Sequence, residues 1–147
     1  MMRPYDRRDE PEVVGVWYRS GHAVYRFLPE WQSLTLERAG EVFRQVIRPQ
    51  CRIWVAVSEE RVVGFLAIKG SYIDRMYVDP SEWRKGWGTR MMELAKQLCP
   101  KGLDLCTHQE NYGARAFYEK HGFQPVRFGI SPAPENAPDV EYHWRPD

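Results

Sequence analysis

Cysteine is scarce, net charge is nearly absent and no long apolar run interrupts this chain of 147 residues. Cys51, Cys99 and Cys106 are an odd number at spacings that match no zinc pattern, so we expect reduced thiols and no metal site. A net charge of +1 provides no general basic field, and a nucleic-acid partner gains no support from bulk electrostatics. No apolar stretch approaches the ~20 residues of a membrane span. The opening Met1-Met2-Arg3-Pro4-Tyr5 lacks the apolar core of a signal peptide. Internal repeats and interdomain linkers are absent too. These absences leave a cytoplasmic protein, with residues 1–147 expected to form one domain.

What is present describes a packed globule. Hydrophobic residues make up 43% and charged residues 28%, with six tryptophans and eight tyrosines for core and pocket walls. A short strand near Met2–Tyr5 should lead into a helix from about Asp9, ended by Gly21. Asp9-Glu10-Pro11-Glu12 suits a helix start, with acids at its positive end and Pro where a missing N–H is harmless. A second helix should span roughly Leu34–Ile47, with Leu36, Ala39, Val42, Phe43 and Val46 on its apolar face and Arg48-Pro49 stopping it. Ile53–Val57 and Val62–Ile68 are β-branched runs joined by the polar Ser58-Glu59-Glu60-Arg61, a hairpin pattern. In the next strand, Tyr72–Val78, the apolar Ile73 and Met76 are three apart, a phase slip that predicts a β-bulge. Leu103–Thr107 alternates as a strand, Asn111–His121 is helical with Gly122 as a left-handed cap, and Phe123–Ile130 and Val140–Trp144 are the last strands.

Two motifs carry chemistry. The first is Trp83-Arg84-Lys85-Gly86-Trp87-Gly88-Thr89, which follows a strand and Asp79-Pro80 and opens an amphipathic helix with Met91, Met92, Leu94, Ala95 and Leu98 at helical spacing. Gly86 and Gly88 let backbone N–H groups approach a bulky anion, and the helix start adds orphan donors and partial positive charge. Arg84 and Lys85 add full charges. The second motif is Asn111-Tyr112-Gly113-Ala114-Arg115-Ala116-Phe117-Tyr118-Glu119-Lys120-His121-Gly122-Phe123. Asn111 suits the N-cap, and Gly122-Phe123 ends the helix and begins a buried strand.

Together these segments resemble the GNAT acetyltransferase superfamily over nearly the whole chain. Strand–Asp-Pro–loop–GxG–helix resembles its acetyl-CoA pyrophosphate loop; Asn111, Ala114, Tyr118, Lys120, Gly122 and Phe123 resemble its second signature. One departure stands out: the family usually carries Gln or Arg three residues before the first loop glycine, and here that residue is Trp83.

The resemblance implies an α/β fold with a mixed, mostly antiparallel sheet of about six to seven strands and about four flanking helices. A V-shaped split would part the parallel strands Tyr72–Val78 and Leu103–Thr107. It implies transfer of an acetyl group from acetyl-CoA to a primary amine of a small molecule, peptide or protein, directly in a ternary complex. Met76, Tyr77 and Val78 would meet the pantetheine arm, and Trp83, Arg84, Lys85, Gly86, Trp87, Gly88 and Thr89 the pyrophosphate, with Asn111 and Phe117 beside the donor. Tyr118, a phenol of pKa ~10, would give a proton to the leaving thiolate. Cys106, near the split, reads as a buried structural thiol. Asp74 is the first candidate for a base on the acceptor amine, followed by Glu110 and His108. His22, Tyr25 and Phe27 lie where relatives cover the acceptor, and the loop Ser131–Pro138, stiffened by Pro132, Pro134 and Pro138, brings Glu135, Asp139 and Glu141 as attractors for a cation. Family precedent allows a homodimer. A non-catalytic acyl-CoA sensor and a tRNA-directed acetyltransferase are the alternatives.

Overall fold

A computed structural model describes residues 1–133 and 135–146, so Pro134 of the loop lies outside the described residues. The long central strand explains the architecture. In β3 (Arg61–Lys69) every residue from Val62 to Ile68 is buried, so both faces need cover. Phe65 and Ala67 point into one core with Val13, Val16, Trp17, Phe43 and Val55. Leu66 and Ile68 point into the other, with Met91, Met92, Leu103, Leu105 and Tyr142. The period-two alternation of a strand thus divides the molecule into two layers of helix around one sheet.

Seven strands lie in the order β1-β2-β3-β4-β5-β7-β6: β1 (Met2–Pro4), β2 (Arg52–Ser58), β3, β4 (Tyr72–Val78), β5 (Leu103–His108), β6 (Gln124–Ile130) and β7 (Pro138–Trp144). All neighbours are antiparallel except β4 and β5. The first core is covered by α1 (Glu10–Val24), α2 (Pro29–Gln32), α3 (Leu36–Val42) and α4 (Arg48–Gln50); the second by α5 (Trp87–Leu98) and α6 (Tyr112–Lys120). The expected mixed sheet with flanking helices is what the chain forms. The β2–β3 hairpin turns on Glu59 and Glu60, both at positive φ. The predicted bulge is present as well: Ala67 pairs with Arg75 and Ile68 with Ile73, leaving Asp74 as the extra residue.

Helix ends differ from the sequence reading. Gly21 does not end α1, which runs to Val24. It serves close approach, because a Cβ there would sit 2.1 Å from the Trp31 ring. Arg48-Pro49 does not end the second helical segment either. A π-turn at Phe43–Ile47 takes up the register, the Arg48 N–H reaching Phe43 O, and Pro49 falls in the first turn of α4. Ala39, Phe43 and Ile47 are therefore inward, whereas Leu36 and Val46, expected on the apolar face, are exposed. The start is as expected: Asp9 takes the N-cap position of α1, while its carboxylate accepts from Arg3 at 2.8 Å and from the Asp6 N–H at 2.8 Å.

The seat of Trp31 against Gly21 gives a direct test. Gly21→Ala should destabilise the protein by about 1–3 kcal/mol through overpacking, read as a lower urea midpoint with unchanged slope.

Candidate active site

The site begins where two parallel strands fail to stay together. β4 and β5 are in register only at Tyr72 and Asp104, with one further bond from the Asp104 N–H to Ser71 O at 3.0 Å. Beyond that point they part. The Asp79 N–H donates to Val63 O at 2.7 Å, so by alternation Tyr77 and Arg75 pair with β3. Met76 and Val78 then turn their backbone groups toward the gap. A cleft of about 620 Å³ opens there, with Met76, Tyr77 and Val78 along one wall and Leu105, Cys106 and Thr107 along the other.

At one end of the cleft lies the glycine loop. Asp79 anchors it: its carboxylate, 6% exposed, accepts from Arg19 at 2.9 Å, the Ser81 N–H at 3.1 Å and the Ser81 hydroxyl at 2.9 Å. Burial pushes the Asp79 carboxyl up, but Arg19 and Ser81 outweigh it and hold it below the usual range. Arg84 and Gly86 both have left-handed φ, +65° and +88°. For Arg84 that conformation costs about 1–2 kcal/mol, a strain retained because it aims successive N–H groups at one concavity. No side chain caps α5, whose N-cap is Gly86 with open space where a Cβ would point. Gly88 approaches Phe117 so closely that a Cβ would lie 3.3 Å from its ring. An uncapped helix start and a glycine cradle facing a cleft fit a pyrophosphate.

Trp83 does something the sequence did not foretell. Its indole N–H donates to Val78 O at 2.8 Å, the same carbonyl that accepts from Ser20 Oγ at 2.8 Å. Its one donor is thus spent on the strand edge. Lys85, by contrast, is turned away, its ammonium 3.1 Å from Glu82 Oε2, and does not line the cleft. Trp83, Arg84, Trp87 and Thr89 do.

Three phenols converge at the far end. Tyr77 donates to Tyr25 Oη at 3.3 Å, and Tyr118 lines the same cleft, its ring against Phe117, Phe123 and Tyr142. Burial pushes the pKa of all three up, so each remains a neutral O–H donor. Asn111 caps α6 by accepting from the Ala114 N–H at 3.2 Å. Asp74 lines the cleft but is engaged by the Cys51 thiol at 3.7 Å and Arg75 at 3.3 Å. Burial, with Asp74 beside it, pushes the Cys51 thiol up to about 11. Cys106, expected to be buried, is exposed on the cleft wall.

Comparison with known proteins decides what this cleft belongs to. Residues 8–123 match the Acetyltransferase (GNAT) family. The chain belongs to that family. It is 32% identical over 120 residues to the peptidyl-lysine N-acetyltransferase YjaB of Salmonella typhimurium, covering 80% of this chain and 79% of that protein. YjaB of Escherichia coli is likewise 32% identical, over 77% of this chain and 74% of that one. The solution structure of apo YjaB from Escherichia coli superposes with a TM-score of 0.81 at 25% identity, covering 98% and 96% of the two chains. A putative streptothricin acetyltransferase from Bacillus anthracis, solved with acetyl coenzyme A, gives 0.61 at 26% identity over 67% and 64%. The protein is an N-acetyltransferase with acetyl-CoA as donor.

Of the acetyltransferase residues expected from sequence, Tyr25, Asp74, Asn111, Phe117 and Tyr118 meet in the cleft with the β4 and loop residues named above. Two acceptor-side candidates do not. His22 is packed against Tyr18 and Trp31 with Nε2 3.0 Å from Leu34 O, and Phe27 sits behind Tyr25. Glu141 is tied to Arg127 at 2.9 Å and His143 at 2.6 Å, so it does not face an acceptor unengaged. Sequence reasoning missed Ser20 and Arg19, which brace β4 and the loop from α1. Neither sits in a motif, and their partners are about 60 positions away.

Asp79→Asn should weaken acetyl-CoA binding and lower stability by about 1–3 kcal/mol at neutral pH. Because folding depresses the Asp79 pKa, its stabilisation is present above about pH 4 and fades as pH falls through the lower folded value. Urea midpoints of wild type and variant should therefore converge on acidification; a constant gap would remove the ion pair as the cause.

Proposed function

We propose that this acetyltransferase modifies the ε-amino group of lysine in peptides or proteins, by direct transfer with both substrates bound. The feature that carries this reading is the far end of the cleft. There the aromatic walls of Tyr25 and Tyr77, backed by Phe27, meet the carboxylate of Asp74, a setting suited to an alkyl ammonium, and Glu135 stands behind them beside His108. Two relatives named peptidyl-lysine N-acetyltransferases support it. Residues 1–147 act as one catalytic unit, and free cysteines fit a cytoplasmic setting.

Acetyl-CoA supplies an activated acetyl group; the residues of this chain bind, orient and move protons. The N–H groups of Arg84–Thr89 hold the diphosphate at the positive end of α5, with Trp87 and Thr89 on its flank. The edge of β4 at Met76 and Val78 receives the amide-bearing arm as an added strand, and an N–H there stabilises charge developing on the carbonyl oxygen. Tyr118, kept protonated by burial, gives its proton to the departing sulfur. No cysteine nucleophile takes part: Cys51 is held as a thiol, and direct transfer needs none.

Calorimetric titration with acetyl-CoA, CoA and ADP tests the donor site: binding by the first two and its loss with ADP is the expected pattern. Thiol release with a lysine peptide, compared with free lysine and an aminoglycoside, tests the acceptor class. Tyr118→Phe should fold, bind acetyl-CoA as the wild type does and lose about 100-fold or more in kcat. Full turnover in that variant would remove the hydroxyl from the reaction.

A further inference from the structure

The acceptor arrives as an ammonium and must shed a proton before its lone pair can attack. Asp74 is poorly placed to take that proton, because Arg75 lies 3.3 Å away and the Cys51 thiol already donates to it. Glu110 is exposed in the turn before Asn111, and its carboxylate has no ion-pair partner among the described residues. His108 differs from both. It is the last residue of β5, directly after Thr107 of the cleft wall, and its side chain is only 12% exposed. Nε2 faces Glu135 Oε1 at 3.7 Å, across from the β6–β7 loop. Nδ1 is buried and has no hydrogen-bond partner. The ring is held edge-on by Tyr25 at 5.2 Å and Phe27 at 5.7 Å, both from the α1–α2 connection.

A buried imidazole nitrogen left unpaired costs free energy unless something uses it. Here a carboxylate lies 3.7 Å from one nitrogen and two aromatic rings flank the imidazole, while the other nitrogen is unpaired in a ring packed against Tyr25 of the cleft. That is the arrangement of a base with its orienting acid. We propose that His108, oriented by Glu135, accepts the proton released by the acceptor ammonium. The proposal rests on the acetyl-transfer reading above and deepens it.

The proton balance closes. Of the three ammonium protons, one passes to the His108 imidazole and on to solvent. The amine lone pair then forms the C–N bond as the C–S bond breaks, and Tyr118 protonates the sulfur. A second proton leaves the nitrogen and restores the Tyr118 hydroxyl; the third remains on the amide. The charged and titratable groups around His108 are Glu135 from the β6–β7 loop, Tyr25 from the α1–α2 connection and Asp139, its register partner on β7. Behind Tyr25 lie Tyr77 and Arg75 of β4. Glu135 is the only one of these within ion-pair distance among the described residues.

The test is the pH profile of kcat/KM with a synthetic peptide carrying one internal lysine, with acetyl-CoA binding measured in parallel. The wild type should exceed His108→Asn most at pH values where the lysine acceptor is still an ammonium. His108→Asn should bind acetyl-CoA normally and lose about 100-fold at pH 7. It should recover toward the wild-type rate near pH 9.5, where the lysine deprotonates itself. Glu135→Gln should lower kcat about 10-fold with little change in KM for the peptide or in acetyl-CoA binding, because the imidazole loses its orienting neighbour. A wild-type profile in His108→Asn, or an unchanged kcat in Glu135→Gln, overturns the assignment while leaving the transferase reading intact. Should His108→Asn fail to fold, the split between kcat and KM in Glu135→Gln decides alone. No thiol release by the wild type with any amine overturns both readings.

Discussion

Everything at the site follows from one unsatisfied pairing. Two parallel strands that meet at a single register position must leave backbone donors and acceptors facing each other across open space. A protein interior does not tolerate such groups without partners, so the opening is useful only if a ligand or solvent can fill it. The helices then have defined tasks. α5 and α6 hold the second core and bring an uncapped helix start and a tyrosine to the two ends of the gap. α1 reinforces β4 from the other face through Ser20 and Arg19.

Electrostatics sorts the two ends by function. The loop end is donor-rich: α5 offers its N-terminal N–H groups, and the nearby acids Asp79 and Glu82 are neutralised by Arg19, Lys85 and Arg61. The acceptor end carries phenols held neutral; Asp74 there is paired with Arg75, and Glu135 stands beside His108. The helix start thus favours an anion at one end, while the other end offers neutral hydroxyls and aromatic walls.

Much of this was legible from local pattern. The bulge at Asp74 followed from the three-residue spacing of Ile73 and Met76, because a strand's period allows only one explanation for that slip. Asn111 as N-cap followed from its side-chain chemistry. The helix ends failed for a common reason. Gly21 and Pro49 are local breakers in sequence, yet Trp31 packing on Gly21 and the π-turn before Pro49 are tertiary matters that no window around those residues contains. Lys85 and His22 failed similarly: charge and ring type were visible, but the nearer partners Glu82 and Leu34 claimed them. Cys106 faces outward because the strand beside it diverges, leaving nothing to bury it.

The indole of Trp83 alters how donor binding is to be understood. In the free protein Val78 O already has two donors, so an incoming amide cannot simply add a bond there; it must exchange for the indole or accept a crowded carbonyl. On the proposed donor site, binding there would be a substitution, with enthalpy set by the difference between two similar hydrogen bonds rather than by one new one. Discrimination for the donor would then rest mainly on the glycine cradle, with Trp83 holding the strand edge until the donor's arm takes its place.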